Sequence, residues 1–187
     1  MKNSKLIKTV TVFVLICMIS FKTPISIAHA VSHANHYKLN PFVSMGRTRT
    51  KVHWWYSQGG RHYYGYRIVL GADAWQNASG TDAGFVKVSA KRDAEIRIYS
   101  KNYGNIGWIG QHSPWFGYGN IKLNDYYHDS NGGYPTYAEV FSHEMGHAFG
   151  LLHYDCNNEL MRPKGYIGKP NPQKGDIAGY KAKYGLR

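Results

Sequence analysis

Between His143 and His153 the chain reads HEMGHAFGLLH. Two histidines four residues apart face the same side of a helix, so His143 and His147 can bring two imidazole nitrogens to one ion. Glu144, beside the first of them, is an acid that can take a proton from water without serving as a ligand. Gly150 stands where the chain must turn back, and a residue without a Cβ accepts the positive φ that such a turn needs. His153 then delivers a third nitrogen. Three protein ligands leave a fourth position open, the arrangement of a catalytic Zn2+ rather than a closed structural one. A bare HExxH pair also arises as an ordinary surface or core histidine pair, but a glycine and a third histidine at fixed offsets leave that explanation little room. The chemistry expected is hydrolysis of a peptide bond, with Zn2+ as the one cofactor required and Glu144 moving a proton from water to the departing amine.

The elements that must position these groups follow from periodicity. Thr136 and Glu139 stand in capping-box spacing directly after Pro135, which predicts a helix running to about Leu151 with Phe141, Met145, Ala148 and Leu152 on its apolar face. Upstream, Lys51 to Tyr56 reads as a strand, and Tyr64, Ile68, Ala72 and Trp75 recur at helical spacing. Short strands are expected over Phe85 to Val88, Glu95 to Tyr99 and Asn120 to Asn124. A last helix is signalled by Asn171-Pro172, then Ile177, Tyr180 and Tyr184, and is closed by Gly185. Strands followed by helices indicate an α+β domain.

The extended histidine motif is the signature of metzincin zinc proteases, and the chain resembles that family. Met161 in NNELMRP agrees with it, standing eight residues after His153 where a methionine-containing turn is expected beneath the ligands. The resemblance is greatest to matrixin, or matrix metalloproteinase-like, catalytic domains over most of residues 51–187. It implies a mixed twisted sheet, an active-site helix and a C-terminal helix in which Asp176 supports the methionine turn. GWIGQHSP, from Gly107 to Pro114, is similar to the substrate-flanking edge segment of matrixins, so Ile109 and Gly110 are implied to bind substrate. Pro163 and Tyr166 are implied as a pocket wall, although Pro163-Lys164-Gly165-Tyr166 carries one residue more than the matrixin Pro-x-Tyr. Tyr154 and Arg162 also depart from the matrixin pattern. The spaced histidines and acids of the matrixin structural zinc and calcium sites are not evident, and His112, Asp125, His128 and Asp129 are the nearest candidates. Additional Ca2+ or structural Zn2+ is therefore not expected.

Composition sets the compartment and the partners. Lys2, Lys5 and Lys8 precede an apolar run from Thr9 to Phe21, and Ala28-His29-Ala30 offers small residues at a cleavage site. Residues 1–30 thus read as a signal peptide, residues 31–50 as an N-terminal arm or short pro-segment, and residues 51–187 as the catalytic domain. The expected protein is secreted and has no transmembrane segment after that cleavage. The formal charge of +12 includes four lysines within residues 1–30, so the mature chain carries +8. That balance fits an anionic cell surface or an acidic substrate rather than nucleic acid. Cys17 leaves with the signal peptide, and Cys156 is expected to be a free thiol that binds no zinc. Two other readings stay open from residues alone: a basic, tyrosine-rich surface-binding module with a structural metal, and a zinc amidase acting on cell-wall peptides.

Overall fold

The computed structural model describes residues 33–115 and 118–187. The expected signal peptide lies outside the described residues. From the N-terminus the elements are β1 (Lys38–Leu39), β2 (Val52–Gln58), α1 (Gly65–Gln76), β3 (Phe85–Lys87), β4 (Ile96–Lys101), β5 (Gly110–Trp115), β6 (Tyr118–Asn124), α2 (Tyr134–Ala148), β7 (Leu151–Leu152) and α3 (Lys174–Tyr184), with short 3-10 turns between several of them. The α+β class expected from sequence is therefore observed.

Five strands form one mixed sheet in the order β3-β2-β4-β6-β5. All neighbours are parallel except β5, which runs antiparallel to β6 along the sheet edge. Alternation decides which side faces the helices: Val52 and Trp54 of β2, Ile96 and Ile98 of β4, and Ile121 and Leu123 of β6 are all buried. The helices close the core. A Cβ on Gly71 of α1 would lie 2.7 Å from the carbonyl oxygen of Ala138, so only a glycine lets α1 approach α2 this closely. Trp75 is fully buried, and its indole N–H donates to the carbonyl of Ser142 at 2.9 Å, fixing α1 against the middle of α2.

Three sequence expectations are corrected. The N-terminus of α2 carries no capping box: its N-cap is Gly133, without a side-chain cap. Glu139 instead reaches a tertiary target, accepting the N–H of Ile167 at 2.6 Å and that of Gly168 at 2.9 Å. The capping box is found on α3, where Gln173 and Asp176 reciprocate. The helix bearing the histidines also ends earlier than expected, at Ala148, because Gly150 takes φ +89° and the chain re-enters extended geometry as β7. Of the edge segment expected from Gly107 to Pro114, only Gly110 to Pro114 lies in a strand, since Gly107 with φ +78° turns the chain just before it.

The N-terminal arm is laid along this turn. β1 pairs antiparallel with β7, Leu39 opposite Leu151, and the N–H of Asn40 donates to the carbonyl of Gly150 at 2.8 Å. A Cβ on Gly150 would strike the carbonyl oxygen of Val43. Gly150 thus meets two demands at once, a left-handed φ and a close-lying arm.

Candidate metal centre

α2 presents His143 and His147 one turn apart, and the Gly150 turn with β7 carries His153 back to them. The Nε2 atoms of His143 and His153 are 3.1 Å apart, and those of His147 and His153 are also 3.1 Å apart. The opposite ring nitrogens are fixed: Nδ1–H of His143 donates to the carbonyl of Leu160 at 2.7 Å, and Nδ1–H of His147 donates to that of Leu151 at 2.8 Å. A carbonyl can only accept, so both neutral rings turn a lone pair on Nε2 toward the shared space. Burial, followed by the neighbouring histidine, holds His143 down to about 3, and burial holds His147 down to about 4. His153 is lowered by burial too. Lone pairs of His143 and His147 turned toward one space, with Nε2 of His153 beside both, form the donor set of a shared cation. Tetrahedral nitrogen ligands of Zn2+ stand about 3.3 Å apart, so this donor set fits Zn2+.

Glu144 is buried at 7 % exposure beside this group, and burial pushes its carboxyl up to about 8 against a stabilising N–H from His112. Strand β5 can come this close because Gly110 has no side chain: a Cβ there would lie 2.7 Å from Oε1 of Glu144 and 2.5 Å from Val140. His112, on the same strand, is lowered to about 4 by burial and then by His147.

The segment after His153 loops beneath the histidines. Met161 is 2 % exposed, and its sulfur rests on Gly146, between the two α2 histidines. Asp176 of α3 holds this loop from below, accepting the N–H of Leu160 at 2.8 Å and of Met161 at 3.1 Å. The N–H of Tyr154 donates to the carbonyl of Met161 at 2.9 Å, closing the loop on itself.

A cleft of about 530 Å³ opens in front of the histidines. Ile109, Gly110, Pro163 and Tyr166, the four residues implied by resemblance, all line it together with His143, Glu144, His147 and His153. Glu139, expected from sequence only as half of a capping box, also lines it, as does Val140, which carried no expectation. Arg162, noted only as a departure, reaches into the wall, where its Nη1 donates to the carbonyl of Tyr166 at 3.1 Å. Its Nε and the Tyr166 hydroxyl are buried without hydrogen-bonding partners.

The other candidate ligands fall elsewhere. His128 and Asp129 come together with His62, which sequence reading left out. Asp125 is occupied by the N–H groups of Arg61 and His62 and by the hydroxyl of Tyr64 at 2.7 Å. His112 lies on β5 and is not part of that group. A separate cluster joins His33, His36, Cys156 and Glu159.

Among known families, the model described as metallo-peptidase family M12B, reprolysin-like, matches residues 74–170. That span runs from α1 through the three histidines and the cleft wall. It supports a metzincin-like zinc metalloprotease and corrects the expected branch, which is reprolysin-like and not matrixin. No curated protein matches the chain.

Proposed function

The chain belongs to the reprolysin-like metallopeptidases of family M12B, and on that footing we propose that it is a secreted endopeptidase whose Zn2+ is held by His143, His147 and His153 and whose general base is Glu144. One observation carries the reading: Nε2 of His153 stands 3.1 Å from Nε2 of His143 and from Nε2 of His147, beside the buried carboxyl of Glu144 in the lining of an open cleft.

A bound Zn2+ supplies Lewis acidity that polarises the scissile carbonyl and acidifies water. The remaining work belongs to the chain. Leu160 and Leu151 hold the two α2 imidazoles in one tautomer through their carbonyls, as outer-shell acceptors do for metal-binding histidines. Glu144 accepts the proton from the attacking water and returns it to the amine that leaves, while Gly110 keeps the carboxylate close to strand β5. The open edge of β5 offers backbone groups to an extended substrate, which suits cleavage within a chain. Secretion is supported by the basic-apolar-small order of residues 1–30. Among the described residues no helix is long and apolar enough to cross a membrane.

The test is to incubate the purified chain and its Glu144→Ala variant with a diverse peptide library, with and without chelator. Wild type is expected to cut and to stop when chelated. Glu144→Ala should keep its metal and lose about 100-fold or more of its turnover. Unimpaired cutting by Glu144→Ala, or by the chelated enzyme, would overturn the mechanism.

A further inference from the structure

On the far side of the His153 segment, the arm meets the loop that leads into Met161. His33 and His36 lie in and just after a 3-10 turn (His33–Asn35) whose backbone sits on Gly175 at the start of α3. A Cβ on Gly175 would lie 2.6 Å from the carbonyl oxygen of His36 and 2.8 Å from that of His33. This close seat brings four donor atoms together. Nδ1 of His33 and Nδ1 of His36 are 3.0 Å apart, Sγ of Cys156 is 3.2 Å from His36 and 3.5 Å from His33, and Oε1 of Glu159 is 3.6 Å from His33. Tetrahedral Zn2+ with these donors would space nitrogens about 3.3 Å apart and nitrogen from sulfur about 3.6 Å.

A purely hydrogen-bonded cluster explains this arrangement poorly. Glu159 is 1 % exposed, and its Oε2 accepts the N–H groups of Gly175 and Asp176, yet Oε1 faces the cluster without any hydrogen-bonding partner. A second buried carboxylate, Asp176, adjoins it and is itself 1 % exposed. An orphaned oxygen on a buried carboxylate is costly. A divalent cation removes that cost, and with one thiolate and one carboxylate the site is electrically neutral. Sulfur and imidazole donors select a transition metal over Ca2+ or Mg2+.

The geometry points to a second metal site, formed by His33, His36, Cys156 and Glu159, that takes Zn2+ and fastens the N-terminal arm to the domain. It lies outside the three-histidine centre but is joined to it. The ring of His36 stacks on Tyr154, next to His153, at 5.1 Å, and β1 begins two residues after His36 and pairs with β7. A metal here clamps the arm over the turn that delivers His153.

The test counts metal and follows sulfur, independently of peptidase activity. A chain that retains His33 is stripped of metal, dialysed against buffered Zn2+ and analysed for zinc. Two ions per chain are expected in wild type, and one in each of Cys156→Ser, His36→Ala and His147→Ala. Reconstitution with Co2+ alone should give a sulfur-to-cobalt charge-transfer band in wild type and in His147→Ala, but none in Cys156→Ser. In the unmutated chain, zinc should slow alkylation of Cys156 by about tenfold or more, because a metal-bound thiolate is withdrawn from reaction. A single zinc that His147→Ala abolishes, with no cobalt-sulfur band and equal alkylation with and without metal, overturns the site. A single zinc that survives His147→Ala and is lost in Cys156→Ser would uphold it and refute the three-histidine centre instead.

Discussion

The sulfur of Met161 occupies the place where a side chain on Gly146 would begin. Gly146 lies between His143 and His147, so the loop beneath the metal centre is keyed to the one α2 position that cannot carry a Cβ without displacing it. Gly146→Ala should therefore push Met161 away or bend α2, an overpacking defect costing about 1–3 kcal/mol. Chemical denaturation measures the loss, and zinc retention measures its effect on the histidines. A variant as stable as wild type would show that the loop has another resting place.

Asp176 makes the same loop depend on α3. Its carboxylate accepts from Leu160, Met161 and Gln173, the last at 2.7 Å. Asp176→Ala leaves two buried backbone donors without a partner and removes half of the α3 capping box, so a loss of at least about 2 kcal/mol is expected. The variant should also release zinc more readily, since Leu160 offers its carbonyl to His143. Unchanged stability together with unchanged metal affinity would refute this support.

The histidine motif and its convergence were legible because every constraint on them is local: two histidines share a helix face, and Gly150 must turn. What lay beyond reach depends on distant partners. Thr136 and Glu139 have capping-box spacing, but the amides of residues 167 and 168, nearly thirty positions on, claim Glu139. β5 was hidden from periodicity by glycine and aromatic residues that blur alternation, so only the family resemblance pointed to an edge segment there, and its strand character comes from pairing with β6. The arm shows no period because only Lys38 and Leu39 pair. Cys156 looked partnerless because His36 stands 120 residues away in sequence. The branch of the family was also beyond local reading, since the signature is common to metzincins at large.

Acid should weaken the fold through His128, which is buried and held below the usual histidine range by burial and then by His62. Its Nδ1 is 3.0 Å from the Tyr64 hydroxyl, which in turn donates to Asp125. Asp129 and Asp125 pull the other way, Arg61 with His62, and the net effect is a lowered value. A base whose folded value is depressed stabilises the native state above the unfolded pKa, about 6.5, and that contribution is lost as pH falls through the folded value. The melting temperature of metal-free protein should therefore drop below about pH 6.5, and less steeply in His128→Gln. Identical slopes in the two proteins would remove His128 from the account.

Gly150→Ala should be more damaging than a surface alanine normally is. Its φ of +89° disfavours any side chain, and the added carbon would meet Val43 of the arm. The conformational part alone is worth about 1–2 kcal/mol. Because the turn delivers His153, zinc affinity should fall along with stability, and calorimetric titration with Zn2+ reads both the affinity and the stoichiometry. Wild-type affinity in a destabilised variant would separate the turn from the ligand.

The cleft beside β5 should decide which bond is cut. An extended peptide pairing with the free edge of β5 near Gly110 would lie across the histidines, and its next side chain would point into the cleft between α2 and the segment following Met161. Apolar groups dominate that wall, with Ile109, Val140, Leu160 and Pro163 all contributing. The polar groups within it are largely tied down: Glu139 is engaged by two backbone amides, and Nη1 of Arg162 is engaged by the carbonyl of Tyr166. The Tyr166 hydroxyl is buried, and its phenol is raised to about 12, by burial first and Glu139 second, so it stays uncharged at neutral pH. A charged side chain entering here would lose its water against a largely apolar wall, whereas an apolar one gains about 25 cal/mol for each Å² it buries. The preferred residue immediately after the cleaved bond should therefore be hydrophobic. Tyr166→Ala should widen that preference toward larger side chains by removing the aromatic wall. Cut sites mapped by mass spectrometry in a proteome-derived peptide library decide the matter: dominant cleavage before acidic or basic residues would rule out this pocket as the specificity site.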